Sequence, residues 1–226
     1  VVIDISQSMQ ATDVRPTRLD AAKEAALTFV RALPAQYNVA VVGLSGNPSV
    51  RLPPTTDRVQ VQQAISSLKL QDSTAVGESV YTALNALQLA PKGTDSTPPP
   101  GAIVLLSDGQ NTSGRSPAQA AAEAKKQDVP VYTIAYGTDN GYVDLDGKRE
   151  RVPPDKELLA SISQASGGQT FSAENLDQLN KVYNNIRSEV GQTPTKKETT
   201  ALWAGYGLAF AVVAALAAVS LGARWP

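Results

Sequence analysis

The chain alternates between short, largely apolar runs and longer segments whose apolar residues recur every three or four positions. The runs are Val1-Val2-Ile3, Tyr37 to Leu44, Ala102 to Leu106 and Val129 to Tyr136. Each is too short for a helix and too apolar for a half-exposed strand, so the pattern predicts strands buried on both faces. Shorter strands are expected at Ser49 to Leu52, beside the second run, and at Gln169 to Ser172. Helical spacing predicts helices over Arg18 to Leu33, over 57 to 68, over Thr74 to Leu89, from Ser116-Pro117 onward, and over 155 to 165 and 175 to 189. Boundary signals agree: Thr17 with Asp20 resembles a capping box, Pro34 stops the first helix, and Thr56 is placed to cap the second. Lys92 to Pro100 is a Pro-rich loop, and Tyr142 to Val152 alternates around Asp146-Gly147 as a hairpin inserted at the sheet's edge would.

Strands alternating with helices predict an α/β fold, doubly wound, with a mainly parallel central sheet and helices on both faces. In such a sheet, ligands bind beyond the carboxyl ends of the strands, where the strand order reverses. Asp4 and Asp108 each follow an apolar strand directly, on that edge.

Residues 1 to 190 are expected to form this domain, and 191 to 200 a polar linker. Residues 201 to 223 carry no charge and are almost entirely apolar, long enough for a C-terminal transmembrane helix. Trp203, Tyr206 and Trp225 sit where interfacial aromatics belong. The chain begins without Met and in mid-strand, so it is expected to be a fragment truncated at its N-terminus.

Composition narrows the chemistry. A length of 226 residues, 42% of them hydrophobic, supports one substantial core. The formal net charge of −1 provides no field to recruit nucleic acid. Cysteine and histidine are both absent, which excludes thiolate or imidazole zinc sites, disulfides, Ser-His-Asp and Cys-His catalysis, and histidine general bases.

Oxygen ligands remain. In Asp4-Ile5-Ser6-Gln7-Ser8 an acid and two hydroxyls occupy every second position after the first strand. Alternate residues of an extended segment project to one side, so these oxygens can converge on one point beyond the strand end. Such a donor set suits a hard divalent cation, Mg2+ first, with Mn2+ or Ca2+ as alternatives. Two further segments fit the same site: Thr74 within Asp72-Ser73-Thr74-Ala75-Val76-Gly77, and Asp108 within Ser107-Asp108-Gly109-Gln110-Asn111. Singly, each has an ordinary structural use as a turn or helix cap. Asp139-Asn140-Gly141 and Asp144-Leu145-Asp146-Gly147 crowd acids and glycines but lack the EF-hand order, and read as hairpin turns. Gly43-Leu44-Ser45-Gly46 misses the spacing of a nucleophile elbow and reads as a strand-ending turn.

The three segments together resemble the metal-ion-dependent adhesion site (MIDAS) of von Willebrand factor A (VWA) domains, over residues 1 to 190. By that resemblance Ser6, Ser8 and Thr74 bind the cation directly, while Asp4 and Asp108 act directly or through water. The hairpin, Arg15-Pro16-Thr17-Arg18-Leu19 after the first motif, and the trailing apolar segment resemble bacterial membrane-bound members related to the Bat aerotolerance proteins. The resemblance implies a protein-binding module and no enzyme. A partner would supply an acidic side chain to the metal, in envelope complex assembly or stress tolerance alongside a MoxR-type AAA+ ATPase. It also implies an extracytoplasmic domain, although Lys196 and Lys197 before the span outnumber Arg224 after it and favour the cytoplasm. Two other functions remain open on the residues alone: a metal-assisted phosphatase with Asp4 as nucleophile, and a metal-independent structural scaffold.

Overall fold

The computed structural model describes residues 1–91, 100–145 and 147–190. β1 (Val2–Asp4) lies at the centre of a six-stranded sheet of order β3-β2-β1-β4-β5-β8, with β2 (Val39–Leu44), β3 (Ser49–Thr55), β4 (Ile103–Ser107), β5 (Val131–Tyr136) and β8 (Thr170–Ala173). Every neighbouring pair is parallel except β2 with β3. Pro53 and Pro54 lie in β3, which is an edge strand, at an irregularity in its pairing with β2 between Leu52 and Thr55, where their missing amides are tolerated.

The continuous apolar runs are explained by burial on both sides of this sheet. Ile3, Val104 and Leu106 pack into one core layer with α1 (Arg18–Ala32), α2 (Arg58–Ser66) and α6 (Leu176–Val190). Val2, Ile103 and Leu105 face the other layer, with α3 (Val76–Leu87), α4 (Pro117–Lys126) and α5 (Lys156–Ser166). Burying each of these large aliphatic side chains contributes about 1.5 to 3 kcal/mol. Successive strands therefore cannot slip in register without moving their apolar residues from one layer to the other.

Strand order reverses between β1 and β4: β2 and β3 lie on one side, β5 and β8 on the other. The carboxyl ends of β1 and β4 thus form the switch point, and Asp4 and Asp108 lie there.

The structure corrects three local expectations. The hairpin, β6 (Tyr142–Leu145) and β7 (Lys148–Arg151), forms its own two-stranded sheet instead of joining the edge of the large one. β5 is already paired with β4 and β8, so the chain leaving it finds no free edge. Val143 and Val152 instead pack with Ala11, beside the first motif. Asp57, not Thr56, caps α2, accepting from the amides of Val59 and Gln60 at 2.9 and 3.2 Å. α3 begins at Val76 and not at Thr74, for reasons given below. Thr17 caps α1 as predicted, accepting from the Asp20 amide at 3.1 Å.

The linker at 191 to 200, the expected membrane span at 201 to 223, most of the Pro-rich loop, and Asp146 lie outside the described residues. Among the described residues no helix is long and apolar enough to cross a membrane.

Candidate metal centre

Asp4 is the last residue of β1 and is fully buried. Its two oxygens have separate donors: Oδ1 accepts from the Ser6 amide at 2.8 Å, and Oδ2 accepts from the Ser107 hydroxyl, at the end of β4. Burial, and then the nearby charge of Asp108, push its carboxyl up to about 7. Both oxygens being held in this way suits a carboxylate that positions its neighbours better than one that attacks a substrate.

The hydroxyls reach the site differently from the expectation of a continuing strand. β1 stops at Asp4, Ser6 makes an isolated parallel bridge to Gln71, and Gln7–Gln10 form one turn of 3-10 helix. Ser8 therefore arrives on a helical turn. Convergence survives: the Ser6 and Ser8 hydroxyl oxygens are 2.9 Å apart.

Asp108 follows β4 and is also fully buried. Burial raises its carboxyl above the usual range, opposed by the Ser8 hydroxyl and by the charge of Arg18. Oδ2 lies 3.4 Å from Arg18 Nη1, while Oδ1 is buried without a hydrogen-bond partner. The chain turns away at once, because Gly109 adopts φ +81°, and a Cβ there would fall 2.8 Å from the Asp155 carbonyl oxygen.

Thr74 reaches this edge through its backbone. The segment before it is tied to the first motif, since Gln71 donates its amide to the Ile5 carbonyl at 2.7 Å. On its other side, the Thr74 amide donates to Thr112 Oγ1 at 2.9 Å, and its carbonyl accepts from the Thr112 amide at 2.8 Å. Asn111 Oδ1 then accepts from the Val76 amide at 2.9 Å, doing the work of an N-cap from a distant loop. α3 accordingly starts after Thr74, with Ala75 as its N-cap residue at φ −119° and ψ 78°, outside the helical range.

Asp4, Ser6, Ser8 and Asp108 are thus joined in one network, and Thr74, buried and bonded to Thr112, lies in a segment tied to the first motif through Gln71. An oxygen-only cation fits these residues on two grounds. Asp108 Oδ1 is a buried acceptor with no donor, a costly state that a cation would relieve. The donor set of hydroxyls and carboxylates also suits a hard ion; among the described residues no group of three or more His, Cys, Asp or Glu side chains is placed to hold a metal, here or elsewhere, so hydroxyls are essential to this set. The acids at 139 and 144 are engaged elsewhere: Asp139 pairs with Lys156 at 2.9 Å, and Asp144 with Arg149 at 3.6 Å.

Two contributors were not anticipated as site residues, Arg18 and Asp13. Arg18 is completely buried and stands between Asp13 and Asp108. A signal for it exists in the sequence: Arg18 shares a helical face with Ala21, Ala22 and Ala25, all buried, so its spacing already places a charge on an apolar stripe.

Residues 1–110 match the family model for the von Willebrand factor type A domain. A UPF0353 protein of Mycolicibacterium gilvum (strain PYR-GCK) is 40% identical over 234 residues, covering 100% of this chain and 70% of the relative. Among solved structures, an aerotolerance-related membrane protein from Bacteroides fragilis NCTC 9343 superposes with a TM-score of 0.73 at 21% identity, over 83% of this chain and 96% of its own. BatB from Bacteroides thetaiotaomicron gives 0.72 at 22% identity, over 84% and 95%. Proximal thread matrix protein 1 from the mussel byssus, with a zinc-occupied MIDAS motif, gives 0.63 at 19% identity, over 84% and 44%. At these identities the structural likenesses establish the fold.

Proposed function

We propose that this chain, which belongs to the UPF0353 family and carries a VWA domain, is a membrane-anchored protein-binding module that depends on a divalent cation. The observation that carries the reading is the buried, unpartnered Oδ1 of Asp108 at the switch point, in one network with Asp4, Ser6 and Ser8. Ser6, Ser8 and Thr74 would hold the ion through hydroxyls, with Asp4 and Asp108 bound directly or through water. Bound there, Mg2+ would offer an electrophilic position to an acidic side chain of a partner protein. Neutral hydroxyls leave the ion's charge less compensated than an all-carboxylate cage would. The zinc-occupied MIDAS of the byssus protein supports metal binding on this fold, without fixing the metal here.

Anchoring by 201 to 223 completes the reading, supported by a structural neighbour described as an aerotolerance-related membrane protein; an extracytoplasmic domain and work beside a MoxR-type AAA+ ATPase belong to the reading through the resemblance to Bat proteins alone. The chemistry of this reading is binding without bond cleavage: both Asp4 oxygens are already hydrogen-bonded, which ill suits a nucleophile.

The test is calorimetric titration of Mg2+ and Mn2+ into the 226-residue chain in detergent, beside a Ser6→Ala, Ser8→Ala variant. The variant is expected to bind at least about 100-fold more weakly. Equal affinity in the two proteins would sink the site. Crosslinking from membranes in Mg2+ and in chelator then tests the partner: capture that survives chelation contradicts a metal-borne contact.

A further inference from the structure

A guanidinium keeps its charge inside a protein, so complete burial of Arg18 calls for a compensating negative charge and for acceptors around its donors. Nε and Nη2 form a bidentate fork on Asp13, at 2.8 Å to Oδ1 and 2.7 Å to Oδ2. Nη1 reaches the other way, to Asp108 Oδ2 at 3.4 Å. The pair with Asp13 already balances the charge of Arg18, so the contact with Asp108 is not required by the arginine; it favours the charge of that buried acid and fixes the direction of its Oδ2.

The fork is itself held in place. Asp13 Oδ2 accepts from the Thr138 amide at 2.8 Å and from the Thr138 hydroxyl at 2.9 Å. Gly137 and Gly141 close over the guanidinium: a Cβ at Gly137 would lie 2.4 Å from its Cζ, and one at Gly141 would lie 2.0 Å from Nη2. Gly141 leads directly into β6, and its carbonyl accepts from the Val152 amide, just past β7, at 2.9 Å. A continuous line of contacts therefore runs from the base of the hairpin through Thr138 and Asp13 to Arg18, and on to Asp108.

Resting on the cation-site reading, we propose that Arg18 is a positioning residue: it holds Asp108 by Oδ2, leaves Oδ1 for the cation, and couples the placement of the β6–β7 hairpin to the state of the site. Charge alone is a poorer explanation, because a lysine would supply charge without the planar fork that locks orientation. The coupling makes the hairpin the element through which a bound ion is felt at the surface, beside the position a partner would occupy.

The experiment uses the 226-residue chain in detergent, as wild type, Arg18→Lys and Asp13→Asn. Mn2+ affinity is measured by electron paramagnetic resonance, and amide hydrogen exchange over 142 to 151 is followed with and without Mn2+. In the wild type, Mn2+ is expected to slow exchange in the hairpin. Both variants are expected to bind Mn2+ about tenfold more weakly, and to lose hairpin protection even when saturated with the ion. If Arg18→Lys does not fold, Asp13→Asn decides, since it weakens the fork and keeps the arginine. Wild-type affinity and wild-type protection in the variants would overturn the positioning role while leaving the cation site intact. A wild type that takes up no Mn2+ would remove the cation site, and this role with it.

Discussion

The carboxyl end of β1 and β4 and the β6–β7 hairpin are neighbours, yet they are held by different forces. At the sheet end, Asp4, Ser6, Ser107 and Asp108 are buried, and the strands that lead into Asp4 and Asp108 are locked into parallel ladders. The hairpin is anchored by Val143 and Val152 on Ala11, while all of β7 is exposed. Its ion pair, Arg149 with Asp144, is about two-thirds exposed on both sides, and Arg149 stacks over Tyr142 at 4.0 Å. The difference separates a rigid frame, where polar groups are costly to disturb, from an appendage with little to hold it, which local fluctuations can open. Arg18 and Asp13 are the junction between the two.

Four experiments test that contrast, in descending order of expected effect. The largest concerns pH. The Asp4 carboxyl is raised from 3.8 to about 7 by burial and then by Asp108. Between those values the folded state binds the Asp4 proton more tightly than the unfolded chain, so the Asp4 contribution to the stability of chelator-treated protein falls as pH rises through the window, by up to about 4 kcal/mol. Burial lowers the Val1 amino group from 8.0 to about 5 and acts in the opposite sense, so urea midpoints at successive pH values are compared with those of Asp4→Asn; a wild-type stability that does not fall relative to that of Asp4→Asn as pH rises contradicts a buried, ion-free Asp4.

The next is at the junction. Gly141→Ala drives a methyl group into the Arg18 guanidinium and should cost about 3 kcal/mol in urea unfolding. A neutral result would mean that the slot around Arg18 is loose. Ser107→Ala removes a donor from the buried Asp4 and should cost about 2 kcal/mol by the same measurement. Arg149→Ala, on the hairpin, should change stability by less than about 0.5 kcal/mol. If its cost matched that of Ser107→Ala, the division into frame and appendage would fail.

Much of the frame was legible because it follows from local pattern. Val1-Val2-Ile3 and Ala102 to Leu106 are apolar at both alternating positions, which only a strand buried on two faces requires, and each ends in the acid that marks the switch point. The alternation of Asp4, Ser6 and Ser8 foretold convergence, although the path turned out to include a 3-10 turn. What was not legible depends on contacts far apart in sequence. Asn111 caps a helix that begins 35 positions earlier. The hairpin, expected at the sheet's edge, stands apart because β8, a strand later in the chain, has taken the edge beside β5.

The sequence by itself determined the order of strands and helices, the donor types available to a cation and the exclusion of thiol and imidazole chemistry, because these depend on periodicity and composition. Only the tertiary structure decided which Asp108 oxygen is left without a partner, and that a buried arginine ties that acid to the hairpin. Arg18 and Asp108 are 90 positions apart, and their pairing exists only once the sheet brings β4 beside β1. Desolvation then turns a distant pair of charges into a junction between site and surface.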